Sequence, residues 1–384
     1  MSVYSEYIGK HLSFEQLVGE RKHQLERIAE LRGRDVIVYA SDISSKNCPN
    51  SIDRSDLLPF NDQLSVLKGD AVDIILQTPG GLAEVVEDLV RSIRSKFENV
   101  GVIVPGMAYS AGTIFAMAAD EILMSRSSSL GPIDAQIVSN GKRFSADAFL
   151  EGLEKIKNEA AKNNMLNIAY IPILQSISPG EIQHCENAQS FSKTLVTDWL
   201  RQYKFKLWVK HSSTGKPVTE EEKKAKAEKI AVELCNQGRW LTHGRSIKID
   251  DLKNLGLQIT DYSTNSDLFD AVNRYYTLLQ MSFDANIYKL YETPTSQIYK
   301  ALNIPTAPQM SMPAGVMPLC VEHQCSQCGN VQVVQFSFEQ TPPTILGAIL
   351  FPADNLYKCK NCQTENDIAG LRKQIESQAN KKIS

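Results

Sequence analysis

The 384-residue sequence has no uninterrupted apolar run near the roughly 18 residues needed to cross a bilayer, so no transmembrane helix is expected. Its first 34 residues are polar and lack the apolar core of a secretory signal. No excess of basic charge is present either: 41 Lys and Arg against 44 Asp and Glu leave a formal net charge of −3. Neither nucleic acid nor an anionic membrane is indicated as a partner. Histidine is scarce, with six in all and none between Ser110 and His184. Of the eight cysteines, Cys48, Cys185 and Cys235 stand singly, as free thiols do in a reducing compartment. A cytoplasmic location is expected, and the length allows two or three domains.

What is present alternates between strand-like and helix-like stretches. Residues 13–32 read as a charged amphipathic helix. "DVIVYA" (35–40), "VDIILQTP" (72–79), "VGVIVP" (100–105) and "DEILM" (120–124) are short, β-branched and nearly continuous, the pattern of strands buried on both faces. Between the second and third, Leu82, Val85, Val86, Leu89, Val90 and Ile93 fall at helical spacing. The alternation predicts an α/β fold with a largely parallel sheet. Residues 145–211 read mostly helical with a break at Pro179–Gly180, and a lysine-rich helix follows near 219–237. "SIKIDDLKNLGLQITDY" reads as a short helix, a stop at Gly256 and a last strand. "NIPTAPQMSMPAGVMP" (303–318) has no periodicity and reads as an extended linker.

Two strand-to-helix turns are built of small residues, "QTPGGLAE" and "PGMAYSAGT". A serine at the start of a helix ordinarily caps it. Here Ser110 lies at the edge where the strand ends of an α/β sheet open to the surface, the usual place for a ligand. Acyl transfer needs a nucleophile at such a turn and two N–H donors near the developing oxyanion. Ala111, next to the serine, and Gly80 or Gly81 of the glycine turn are candidates for those donors.

"DIILQTPGGLAEVVEDLVRSIRS" followed by "VGVIVPGMAYSAGTIFAMAADEILMSRSSSLGPIDAQI" resembles the Clp-fold serine proteases. Within that group the sequence is similar to the serine dehydrogenase proteinase family, relatives of signal-peptide peptidase A. The resemblance runs over about residues 15–285. It implies a Clp/crotonase-like spiral core, Ser110 as nucleophile, an oxyanion hole from the 78–81 turn and the Ala111 N–H, and assembly into homo-oligomers. It also implies peptide-bond hydrolysis through an acyl-enzyme.

The general base does not carry over. The Clp histidine position falls near Asp134, and the signal-peptide peptidase lysine position falls in 144–149, which has no lysine. Lys157 lies beside an apolar stripe of Phe149, Leu150, Leu153, Ile156 and Ala160. A lysine desolvated there would have its charged form disfavoured, as a base requires. His184 competes for the role. Asp134 reads either as a turn residue or as a group orienting the base, and His243 as a support for the "GLQI" strand.

Cys325-x-x-Cys328 and Cys359-x-x-Cys362 have the form of two zinc knuckles. A structural Zn2+ in a small ribbon is expected, with metal binding supplying much of its folding energy. Cys320 and His323 lie just outside as spare ligands. The domains expected are thus 1–34 (helical), 35–285 (Clp-fold protease), 286–318 (helix end and Pro/Met-rich linker) and 319–384 (zinc ribbon and tail). The function expected is an ATP-independent serine endopeptidase acting on a peptide or protein, with the ribbon recruiting a partner or substrate. The alternatives are an inactive Clp-fold scaffold and a crotonase-like acyl-CoA enzyme.

Overall fold

The computed structural model describes residues 2–45, 48–139, 141–211, 214–302, 319–338, 347–379 and 381–383. The chain divides into two compact units, Met1–Leu302 and Asn303–Ser384. The linker expected at 303–318 lies outside the described residues.

The first unit is built on a seven-stranded sheet. Its strands are β1 (Asp35–Ser41), β2 (Ala71–Gln77), β3 (Asn99–Val104), β4 (Glu121–Met124), β5 (Thr260–Asp261), β6 (Ile287–Glu292) and β7 (Gln297–Ala301). The spatial order is β7-β6-β1-β2-β3-β4-β5. From β1 to β5 every pairing is parallel, whereas β6 and β7 add an antiparallel edge. The continuous apolar runs of β1 and β2 are explained by burial on both faces, with six consecutive buried residues in each strand.

One face is covered by α1 (Phe14–Arg32) and the long helix Ser266–Phe283, through Leu25, Ile28, Leu268, Val272 and Leu279. The N-terminal helical segment expected at 1–34 lies in the same compact unit as this sheet. The other face carries α2 (Ala83–Arg94) and α3 (Ala111–Met117). In α2 the apolar stripe packs inward through Val85, Val86, Leu89, Val90 and Ile93, but Leu82 is exposed because it precedes the helix as its N-cap. α3 is buried along its whole length, and Gly112 permits this: a Cβ there would lie 2.5 Å from Thr78 Cγ2.

Helices α4 (Ala146–Asn163) and α5 (Pro179–Trp199) pack as a pair, and α5 also meets the helix Glu220–Cys235. The helix end expected from residue 286 is instead the β6–β7 hairpin. Its two strands are rich in β-branched and aromatic residues (Ile287, Tyr288, Tyr291, Ile298, Tyr299) and turn around Pro294.

The second unit has a three-stranded sheet of Leu319–Gln324, Val331–Phe336 and Ile349–Leu350, a hairpin of Leu356–Lys358 with Glu365–Asp367, and a helix Ala369–Ala379. Its core is small: Val334, Phe351, Tyr357, Ile368 and Ile383.

Candidate functional site

The two small-residue turns meet at the C-terminal ends of β2 and β3. A bridge between Thr78 and Ala108 stitches them: Thr78 N–H donates to Met107 O at 3.1 Å, and Tyr109 N–H to Thr78 O at 3.0 Å. Both glycines are conformationally required. Gly80 and Gly81 have φ of 100° and 152°. A Cβ on Gly80 would sit 2.7 Å from Ser110 Cβ and 3.1 Å from Ala111 N, and one on Gly81 would sit 2.3 Å from Ile52 O. Backbone thus approaches backbone where any side chain would intervene.

Ser110 opens α3 with φ 52° and ψ −117°, a left-handed conformation for a residue with a Cβ. Such a conformation costs on the order of 1–3 kcal/mol. The bland reading of a helix cap does not hold: the Ser110 side chain makes no capping hydrogen bond. The backbone carbonyl does accept, from Thr113 N–H at 2.8 Å and Ile114 N–H at 3.1 Å. The strained turn therefore anchors the main chain and leaves the hydroxyl uncommitted.

Of the backbone donors facing this turn, Gly80 N–H is taken by Thr78 Oγ1 at 3.1 Å. Gly81 N–H and Ala111 N–H have no acceptor among the described residues. Ala111 is the first residue of α3, so its N–H is one of the helix's orphan donors.

Asp134 and His243 come together in the fold. His243 Nδ1 lies 2.8 Å from Asp134 Oδ1, and Gln136 Nε2 donates to the other carboxylate oxygen at 2.7 Å. The Asp134 side chain is fully buried, that of His243 29% exposed. A carboxylate only accepts, so Nδ1 carries the proton in this contact and Nε2 of the neutral ring is an acceptor. His243 was read from sequence as a support for the "GLQI" strand; its partner is the Asp134 carboxylate instead.

Both arms of the pair are tied to the Ser110 turn. Thr113 Oγ1 donates to Gly131 O at 2.8 Å and accepts from Gly131 N–H at 2.9 Å, which fixes the segment leading to Asp134. Leu130 and Ile247 exchange two backbone bonds, and Tyr109 Oη lies 2.7 Å from Ser246 Oγ, which fixes the segment carrying His243.

Lys157 occupies a different place. It is 74% exposed and pairs with Glu154 at 3.2 Å. It lines a cleft of about 520 Å³ between α4 and α5, together with Leu150, Leu153 and Ile182. The desolvation that would make it a base is absent, because the side chain stands mostly in solvent. His184 is exposed on α5.

In the second unit the four knuckle cysteines converge, their Sγ atoms all within 4.8 Å of one another. Cys325 and Cys362 are 3.6 Å apart, Cys328 and Cys359 3.7 Å. A tetrahedron of metal–sulfur bonds of about 2.3 Å has edges of about 3.8 Å, so the donor set fits one zinc-sized ion. Each knuckle turns through a left-handed residue, Gly329 at φ 71° and Gln363 at φ 61°, whose N–H donates to the carbonyl of Cys325 or Cys359. Backbone N–H groups of Cys328 and Gln327 draw the Cys325 thiol down to about 6. Asn366 Nδ2 donates to Cys325 Sγ at 3.5 Å. Cys320 and His323 are not part of the cluster: Cys320 is exposed, and His323 Nδ1 lies 2.8 Å from Tyr357 Oη.

Residues 63–187, the segment carrying both turns and Asp134, match the family model of ClpP-like SDH-type serine proteinases. Two uncharacterized proteins of Methanocaldococcus jannaschii are each 29% identical to the chain, over 214 and 188 residues. The matches cover 56% and 49% of this chain, and 59% and 51% of those relatives' own length. Among solved structures, a mutant of a membrane-bound stomatin-specific protease matches at 16% identity and TM-score 0.34, over 56% of this chain and 77% of its own. A probable enoyl-CoA hydratase/isomerase from Mycobacterium abscessus matches at 14% identity and TM-score 0.27, over 62% of this chain and 75% of its own. No helix among the described residues is long and apolar enough to cross a membrane.

Proposed function

We propose that the protein is a serine endopeptidase that needs no ATP and acts in the cytoplasm through an acyl-enzyme on Ser110. The observation that carries this reading is the strained Ser110 turn, its hydroxyl free of any capping bond, beside two unclaimed N–H donors. In the proposed reaction His243 Nε2 takes the Ser110 proton as Oγ bonds to the peptide carbonyl carbon. Asp134 holds the ring and offsets the imidazolium charge that forms. Negative charge develops on the carbonyl oxygen, where Gly81 N–H and Ala111 N–H would meet it. Collapse expels the amine, which receives the proton from His243. Water, deprotonated by the same nitrogen, then cleaves the ester.

The Asp134–His243 contact supports a base in this reading, which weighs against an inactive scaffold. An acyl-CoA enzyme of the crotonase type would have no use for a serine at this strained position. The four-cysteine site would hold a structural Zn2+ that fixes the small second unit, leaving that unit to recruit a substrate or protein partner.

Self-association is also proposed. The apolar faces of α5 and of Ser266–Phe283 are covered within the chain. Met165, Ile168 and Ile173, at the connection between α4 and α5, are exposed instead and are the better candidates. Light scattering at micromolar concentration checks this; a monomer mass contradicts it.

A fluorophosphonate probe tests the peptidase reading: it should label the wild-type chain on Ser110 alone, with hydrolysis of fluorescent casein blocked in proportion.

A further inference from the structure

The Gly80–Gly81 turn is held from behind by Ile52. Ile52 N–H donates to Gly80 O at 2.7 Å, and Leu82 N–H donates to Ile52 O at 2.9 Å. With a Gly81 Cβ position only 2.3–2.8 Å from Ile52 backbone atoms, the direction of the Gly81 N–H depends directly on where Ile52 sits. Ile52 follows described residues 48–51, none of them buried, of which Asn50 donates through Nδ2 to Asp42 O at 2.7 Å and Ser45 O at 3.0 Å.

A buried cation holds the backbone on either side of Ile52. Lys289, on β6, is fully buried, and its Nζ donates to Ser51 O at 2.6 Å and to Asp53 Oδ2 at 3.0 Å. These two acceptors straddle Ile52. The same ammonium reaches both oxygens of buried Asp56, at 2.8 and 2.9 Å. Asp56 also accepts from Tyr39 Oη at 2.7 Å, Tyr291 Oη at 2.5 Å, Lys300 Nζ at 3.0 Å and Asp53 N–H at 2.9 Å. Buried ion pairs contribute little net stability compared with apolar packing. Their bonds are directional, however, and here they point at the backbone on either side of the residue that sets the glycine turn.

We propose that Lys289 is a positioning residue for the oxyanion-binding turn, acting through Ser51, Asp53 and Ile52 on Gly81 N–H. The assignment rests on the Ser110 peptidase reading. Displacing an oxyanion donor by a fraction of an ångström weakens stabilisation of the developing charge far more than ground-state binding.

The test uses the full-length chain and a fluorophosphonate probe, whose attack by Ser110 also places negative charge on an oxygen in the hole. The maximal labelling rate constant and the half-saturating probe concentration are read separately. A merely structural role lowers the amount of protein that labels, but not the rate constant of the fraction that does. Lys289→Met should lower the maximal rate constant about tenfold or more, with half-saturation within about twofold, and Lys289→Arg should recover part of the loss. Asp53→Asn keeps the Lys289–Asp56 pair and the local cap, and should lower the rate constant about two- to fivefold. It decides the matter if Lys289→Met does not fold. An unchanged rate constant in Asp53→Asn, and in Lys289→Met where it folds, overturns the assignment while leaving the peptidase reading intact. Failure of the wild-type chain to label overturns both.

Discussion

Asp134 and His243 are 109 residues apart in sequence, yet their side chains meet at 2.8 Å with the carboxylate fully buried. A buried carboxylate against one imidazole nitrogen fixes the ring's tautomer and orientation. His243→Gln should therefore lower kcat by about 10³-fold or more, with KM little changed. Asp134→Asn, which favours the wrong tautomer, should cost about 10⁴-fold. Steady-state kinetics on a fluorogenic peptide measures both, and a near-normal kcat in His243→Gln contradicts the assignment.

The glycine turn makes a second prediction. Gly80→Ala would place a methyl group 2.6 Å from Tyr109 O and 2.7 Å from Ser110 Cβ, at a φ of 100°. The two turns must separate to admit it. Activity should fall at least about 10²-fold, the scale of a lost oxyanion donor, and stability by about 1–3 kcal/mol. Urea unfolding followed alongside activity distinguishes the two effects; near-normal turnover would show that the turns need not touch.

Acid sensitivity follows from Asp56. Burial works to raise its carboxyl pKa, but the Lys289 ammonium and the phenols of Tyr291 and Tyr39 outweigh it and hold the group below its ordinary 3.8. A carboxylate lowered in the folded state stabilises at pH above its unfolded value, and that contribution is lost as pH falls through the folded value. The gap in melting temperature between wild type and Asp56→Asn should be wide at neutral pH and narrow below about pH 4. A constant gap from pH 3 to 7 would contradict this.

The second unit should respond to metal separately. Removal of Zn2+ by a chelator should melt the Cys325–Cys362 region, whose core is too small to hold alone, and leave the first unit's unfolding transition in place. A chain ending at Leu302 should keep probe labelling of Ser110 and cleavage of short peptides, while processing of a protein substrate falls. Elemental analysis should find one zinc per full-length chain. Loss of labelling on truncation, or no zinc, contradicts the division of labour.

Much of this architecture is legible in the sequence because its signals are local. β1 and β2 announce themselves as apolar runs, and α2 as a stripe from Val85 to Ile93. The cysteine knuckles repeat a three-residue spacing, and the Gly-Gly and Ser-Ala-Gly turns each lie within four residues. The proposed general base leaves no such trace. His243 and Asp134 are joined by tertiary folding alone, and each read separately looks like a loop residue. Lys157 shows the opposite error, since helical spacing places it beside an apolar stripe without revealing that the stripe borders an open cleft. The β6–β7 hairpin was hidden by the preceding long helix, and Lys289 within it carries no sequence motif at all.

The central claim is that Ser110 is the nucleophile, and intact-mass analysis after fluorophosphonate treatment tests it most directly. The wild-type chain should gain one adduct, localised to Ser110, as casein hydrolysis stops. Ser110→Ala should gain none and hydrolyse nothing, with a melting temperature close to that of the wild type because the hydroxyl makes no capping bond. An adduct on another residue, or hydrolysis by Ser110→Ala within about twofold of wild type, would contradict the account.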